Sequence, residues 1–189
     1  VWAKAGGLIG EVDFYSQLFM YASYNTGKVK ANGSVAGGLV GLIGTIPGGN
    51  SNNKPGFTET LYESLIAYCY NAGNVEVGYQ NGDTGYGYGG SALGTSGNNY
   101  NGSEAAGIVA VTGAVKIDSC YNTGAITAYG CVGALFAWHT RIGGIVAEVT
   151  THKNSNLNSC KGSNLAKGTI NNCYNVGVVA TKESTSSSC

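Results

Sequence analysis

This 189-residue sequence predicts an all-β fold, a right-handed parallel β-solenoid of four irregular repeats. Three observations carry that expectation. A Tyr-Asn pair followed two residues later by Gly recurs four times. A pair of small residues followed by apolar ones recurs between those copies. The chain also holds 32 glycines and 2 prolines, with only 11% charged residues, against a usual ~25%.

The first element reads Ser23-Tyr24-Asn25-Thr26-Gly27-Lys28-Val29, then Cys69-Tyr70-Asn71-Ala72-Gly73-Asn74-Val75. It returns as Cys120-Tyr121-Asn122-Thr123-Gly124-Ala125-Ile126 and Cys173-Tyr174-Asn175-Val176-Gly177-Val178-Val179, with Asn-to-Asn spacings of 46, 51 and 53. Six copies of the second element begin at Ala5-Gly6-Gly7, Ala36-Gly37-Gly38, Gly89-Gly90-Ser91, Ala105-Ala106-Gly107, Val132-Gly133-Ala134 and Ile142-Gly143-Gly144. Short β-prone runs bounded by Gly and Asn read as strands and turns. The Gly after Tyr-Asn-x suits a corner that needs positive φ. Stacked at ~4.8 Å, the repeats place Asn25, Asn71, Asn122 and Asn175 in one ladder and Tyr24, Tyr70, Tyr121 and Tyr174 in another. Right-handed winding is the default for parallel crossovers.

A period near 50 residues means either two coils per repeat or one coil with insertions. The Asn-, Ser-, Gly- and Lys-rich stretches Thr45 to Thr58, Gly78 to Tyr100 and Thr150 to Lys167 are the candidate insertions. The segment Thr58 to Tyr68 has helical spacing, with Leu61, Leu65 and Tyr68 on one face. Residues 1–189 are expected to form one domain, with 180–189 as a C-terminal tail.

Composition excludes several functions. Ten basic residues balance ten acidic ones, and Arg141 is the single arginine. A nucleic-acid binder needs a basic face. The longest apolar runs, such as Gly37 to Gly44, are too short and Gly-rich to span a bilayer as a helix. The sequence opens on Val1 without an initiator methionine, so it is expected to be processed or cut from a longer chain.

These two elements resemble the Glug repeat, usually Cys-Tyr-Asn-Thr-Gly-x-Val followed by Val-Gly-Gly-Ile-Val-Gly. Cys120 to Ile126 and Ala36 to Gly41 match almost letter for letter, and the resemblance runs from Ala5 to about Ala180. The departures are Ser23 in place of Cys, degenerate second elements at Gly90-Ser91 and Gly133-Ala134, and wider spacing. The resemblance implies a bacterial extracellular or cell-surface spacer, adhesion or assembly module with no catalysis in the repeats and no cofactor.

Six cysteines, Cys69, Cys120, Cys131, Cys160, Cys173 and Cys189, permit up to three disulfides in a secreted chain. Cys69, Cys120 and Cys173 share one repeat position. They either bridge adjacent coils or fill the core as small hydrophobes, with Ser23 as the end-coil substitute. Cys131 and Cys160 fall outside the register and suit a loop-pinning bridge. His139 and His152 lack any metal-site pattern. The carboxylates are scattered, with Glu11/Asp13 and Glu59/Glu63 the only near pairs, so a glycan-active solenoid enzyme ranks third among the readings. Tyr79, Tyr86, Tyr88, Tyr100 and Tyr129 are candidate surface contacts for glycan or a host protein.

The repeat frame opens at Ala5 and closes at Val179. Uncapped terminal coils present unpaired backbone, so the expected partner is a second copy, joined head to tail into a filament. A stalk or adhesin region of a larger surface protein is the alternative.

Overall fold

The computed structural model describes residues 4–12, 16–31, 35–43, 64–78, 104–113, 115–131, 141–149 and 168–184. They form a parallel β-solenoid of four coils, each with five short strands. The first coil holds β1 (Lys4–Gly6), β2 (Ile9–Val12), β3 (Phe19–Tyr21), β4 (Tyr24–Asn25) and β5 (Val29–Ala31). The second holds β6 (Val35–Gly37), β7 (Val40–Ile43), β8 (Ser64–Ala67), β9 (Tyr70–Asn71) and β10 (Val75–Gly78). In the third are β11 (Glu104–Ala106), β12 (Val109–Thr112), β13 (Val115–Asp118), β14 (Tyr121–Asn122) and β15 (Ile126–Cys131). The fourth comprises β16 (Arg141–Gly143), β17 (Val146–Val149), β18 (Thr169–Asn171), β19 (Tyr174–Asn175) and β20 (Val179–Ser184).

Every strand pairs in parallel with its counterpart one coil away, giving five four-stranded sheets. One repeat is therefore one coil, and the variable chain length falls between strands. Four of the six small-residue elements form the β1–β2 type of turn. The other two, at Gly89 and Val132, lie outside the described residues, as do most of the three stretches expected as insertions.

The interior is built from columns of like residues. Val29, Val75 and Ile126 stack in register, as do Met20, Ile66 and Ile117. All six are buried. Each fully buried Val or Ile contributes roughly 1.5–3 kcal/mol, so the repeated apolar positions hold coil on coil. Ala36 and Ala105 face the first column and keep the coil thin there. Val35, Leu42, Ala110 and Val111 form a separate buried cluster.

Three expectations need correction. Ser64–Ala67 is a strand, not the second half of a helix, because it is hydrogen-bonded in register between Phe19–Tyr21 and Val115–Asp118. That pairing overrides a weak local helical spacing; residues 58–63 lie outside the described residues. Ala180 to Ser184 are not a tail, since they continue β20 against the six residues of β15. Finally, Gly27, Gly73, Gly124 and Gly177 do not have positive φ. The left-handed corner falls earlier, at Ala22 (45°), Tyr68 (56°), Ser119 (51°) and Asn172 (51°).

Candidate functional site

The repeat motif builds one corner four times, between the β3 and β5 types of strand. The chain leaves the β3-type strand through a left-handed residue, after which the next side chain, Ser or Cys, points inward. Tyr then points out, Asn points in, and the chain passes through Gly into the β5-type strand.

The inward Asn column is a hydrogen-bond ladder. The Nδ2 of Asn25 donates to Oδ1 of Asn71 at 2.9 Å, Asn71 to Asn122 at 2.7 Å, and Asn122 to Asn175 at 2.6 Å. Each Nδ2 also donates to the carbonyl of the Gly two residues on, at 2.7–2.8 Å. Asn71 and Asn122 are completely buried, so these bonds replace water that has no access.

The same ladder explains why both halves of the motif occur together. A Cβ on Gly107 would collide with the amide of Asn122, and one on Gly38 with that of Asn71. A Cβ on Gly124 would overlap the carbonyl of Gly73 in the coil below. Glycine is needed here for close approach between coils, not for an unusual backbone angle.

The Ser/Cys column behaves as one row. Cys69, Cys120 and Cys173 are free thiols. Each thiol donates to the carbonyl two residues back, Cys69 to Ala67 at 3.1 Å, Cys120 to Asp118 at 3.2 Å and Cys173 to Asn171 at 3.0 Å. Ser23 makes the same bond to Tyr21 at 2.8 Å. Each sulfur also accepts a backbone N–H from the coil below, at 3.4 Å from Ser23, Cys69 and Cys120 in turn. Cys120 is held protonated, well above the ordinary thiol range, by interaction with the Cys69 thiol and by burial, against the opposing pull of the Cys69 backbone N–H. Burial also raises Cys173.

The outward Tyr column is a stack of four parallel rings. Centroids are 5.1 Å apart for Tyr24–Tyr70, 4.9 Å for Tyr70–Tyr121 and 5.2 Å for Tyr121–Tyr174, with planes within 5°. Loss of water, then the proximity of Tyr70 and Tyr174, raises the phenol of Tyr121. Tyr70 and Tyr121 are covered on both faces by neighbouring rings, while Tyr24 and Tyr174 at the ends each stack on one.

Tyr129 lies half-buried in β15, in register with Gly78 and Lys182. Tyr79, Tyr86, Tyr88, Tyr100, Cys160, Cys189, His139 and His152 lie outside the described residues. Cys131 ends β15 and pairs through its backbone with Ser184. Of the carboxylate pairs, Glu11 is ion-paired with Lys4, while Asp13, Glu59 and Glu63 lie outside the described residues. Among the described residues, no group of three or more His, Cys, Asp or Glu side chains could hold a metal ion.

One charged cluster was not anticipated from the sequence. Lys4, Val35, Glu104 and Arg141 form a column directly before the small-residue element. Arg141 Nη1 lies 3.3 Å from Oε1 of Glu104 and 3.0 Å from Oε2 of Glu148. Glu104 is only 2% exposed, and its Oε2 has no hydrogen-bond partner. The signal was a charge standing where Val35 stands in the second coil, which becomes visible only once the coils are aligned.

Comparison of the chain with protein-family models, with curated proteins and with solved structures returns no match. The corner geometry therefore carries the functional argument. Its Asn and Cys columns bond from coil to coil, an arrangement suited to holding coils together.

The left-handed corner yields a direct expectation. Serine at φ 51° is strained by roughly 1–2 kcal/mol relative to glycine, partly offset by the greater unfolded-state entropy of glycine. Ser119→Gly is expected to stabilise the fold by about 0.5–1 kcal/mol, measured by urea unfolding; destabilisation would show that the corner is not strained.

Proposed function

We propose that the chain is a non-catalytic structural module of a bacterial extracellular or cell-surface protein, a rod segment that extends head to tail. The resemblance to Glug repeats supports the setting. One observation supports the extension: the Asn ladder has a direction. Each coil passes an amide hydrogen to the next, so Asn25 at one end keeps an acceptor site on Oδ1 and Asn175 at the other keeps a donor. Among the described residues, neither is taken from beyond the stack. The two ends are thus complementary.

The fourth coil is also apolar where it is open. Ile170 and Val179 are 46% and 38% exposed, in columns where Ile117 and Ile126 have no exposure. A further coil would bury them, whether it came from a second copy or from a longer polypeptide. The first gives a filament subunit, because a heterologous contact that does not close propagates. The second gives a stalk or adhesin region.

Sedimentation velocity and negative-stain microscopy over a concentration series, under oxidising conditions, separate the two. The filament reading expects rods that lengthen with concentration and are lost in Ile170→Lys with Val179→Lys. A wild-type chain that stays monomeric at high concentration would overturn self-assembly and leave the stalk reading.

A further inference from the structure

The outward surface of the repeated corner differs from coil to coil. Its positions hold Phe19, Tyr21 and Ala22 in the first coil and Leu65, Ala67 and Tyr68 in the second. The same columns hold Lys116, Asp118 and Ser119 in the third coil, and Thr169, Asn171 and Asn172 in the fourth. The fold therefore accepts polar side chains at all these places, and aromatic residues there are not a requirement of stacking.

They are also conspicuously open. Phe19 is 60% exposed, Tyr21 53% and Tyr68 65%. Among the described residues no ring stacks on any of the three, unlike the Tyr column beside them. Tyr68 stands out further, because it adopts φ 56°, a region in which a bulky side chain is an outlier. Its counterparts are Ala22, Ser119 and Asn172, small or polar residues suited to such a corner. A strained, exposed aromatic that the fold does not need points to binding.

We infer that Phe19, Tyr21 and Tyr68 form a binding surface for a neutral polysaccharide chain. Charge argues for a neutral ligand: described residues 16–27 and 64–75, the two arcs that carry the patch, contain no Asp, Glu, Lys or Arg. Lys28 and Glu76, which follow these arcs, pair with each other. Across the stack the next charges are Lys116, in register with Leu65, and Asp118, in register with Ala67, one of each sign. All three rings are more than half exposed, and two of them carry phenol hydroxyls. A pyranose ring matches this pairing. Its flat C–H face lies against the electron-rich face of an aromatic ring, and its hydroxyls bond to phenols. A membrane surface would instead call for an excess of basic residues beside the apolar ones, whereas Lys116 in the adjoining strand is balanced by Asp118. This surface is separate from the stacking columns and does not depend on the rod reading.

Affinity electrophoresis of the 189-residue chain tests it, in gels containing hydroxyethylcellulose, mixed-linkage β-glucan or galactomannan, with polygalacturonate as the anionic comparison. The proposal expects retardation by at least one neutral polymer. That retardation should fall at least tenfold in the triple variant Phe19→Lys, Tyr21→Asp, Tyr68→Ser, which transplants the side chains of the third coil and leaves net charge unchanged. Circular dichroism reports whether the triple variant folds; if it does not, Tyr68→Ser alone must weaken retardation. Unaltered mobility in all three neutral gels would overturn the inference, as would retardation that survives the substitutions, or retardation by polygalacturonate alone. A sedimentation shift between wild type and variant without retardation would assign the patch to contact between copies, and would also overturn it.

Discussion

Replacing Asn122 by alanine is expected to lower the free energy of unfolding by about 3–5 kcal/mol, from ~1–3 kcal/mol for each buried polar group left without a partner. Three groups lose their bond at once: the Nδ2 of Asn71, the Oδ1 of Asn175 and the carbonyl of Gly124. The first lies in a wholly buried residue and has no water to turn to. Asn175 is half-buried, which holds the sum below the full three-group value. Asn25→Ala, at the partly exposed end of the column, is expected to cost about 1–2 kcal/mol, since fewer buried groups are stranded. Urea unfolding followed by circular dichroism measures both. Equal losses at the two positions, or a loss at Asn122 within ~0.5 kcal/mol, would mean that the column does not act as a buried ladder.

The second large effect is a dependence of stability on pH, removed by Glu104→Gln. Burial, then the charge of Glu148, pushes the carboxyl of Glu104 up to about 7 from an ordinary 4.5, against the opposing pull of Arg141. Arg141 is shared, and Glu148 lies closer to it, so ionised Glu104 is poorly compensated. Flanking strands β6 and β12 offer no ionisable side chain among the described residues. The folded state therefore holds the proton more tightly than the unfolded chain. Its contribution is full below pH 4.5 and is lost as pH rises through 7, a total of about 3 kcal/mol at 1.36 kcal/mol per pKa unit. Glutamine keeps the shape without the charge. Glu104→Gln should remove this component of the slope between pH 4.5 and 7 and make the chain more stable than wild type at pH 8, by chemical unfolding across that range. Parallel pH profiles for the two proteins would show that Glu104 ionises freely in the folded state.

Much of the corner was legible in the sequence because it is written there four times. Four Tyr-Asn-x-Gly copies imply four equivalent places, and equivalence in a stacked β-fold puts side chains in columns. The task of individual residues is not legible in the same way. The Gly of the motif suggests a left-handed turn, yet Gly124 is needed because the Gly73 carbonyl passes too close for a Cβ. The left-handed positions themselves are occupied by Ala22, Tyr68, Ser119 and Asn172. No shared residue type marks that position, so a pattern search passes over it. Likewise, the spacing of Leu65 and Tyr68 suggested a helix, and only pairing with β3 and β13 settles Ser64–Ala67 as a strand.

By itself the sequence determined the all-β class, the number of repeats, the stacked identity of the Asn, Tyr and Ser/Cys positions, and the interchangeability of Ser23 with cysteine. These follow from local side-chain periodicity, which survives insertions of any length. The tertiary structure alone decided that one repeat makes one five-stranded coil, that Cys69, Cys120 and Cys173 are unbridged thiols, and that Glu104 shares Arg141 with Glu148. It also decided that Phe19, Tyr21 and Tyr68 stand exposed on adjacent coils at the repeated corner. Those outcomes depend on which coil lies against which and in what register. That register is set by the sum of many weak contacts along the whole stack, so no single segment of the chain encodes it.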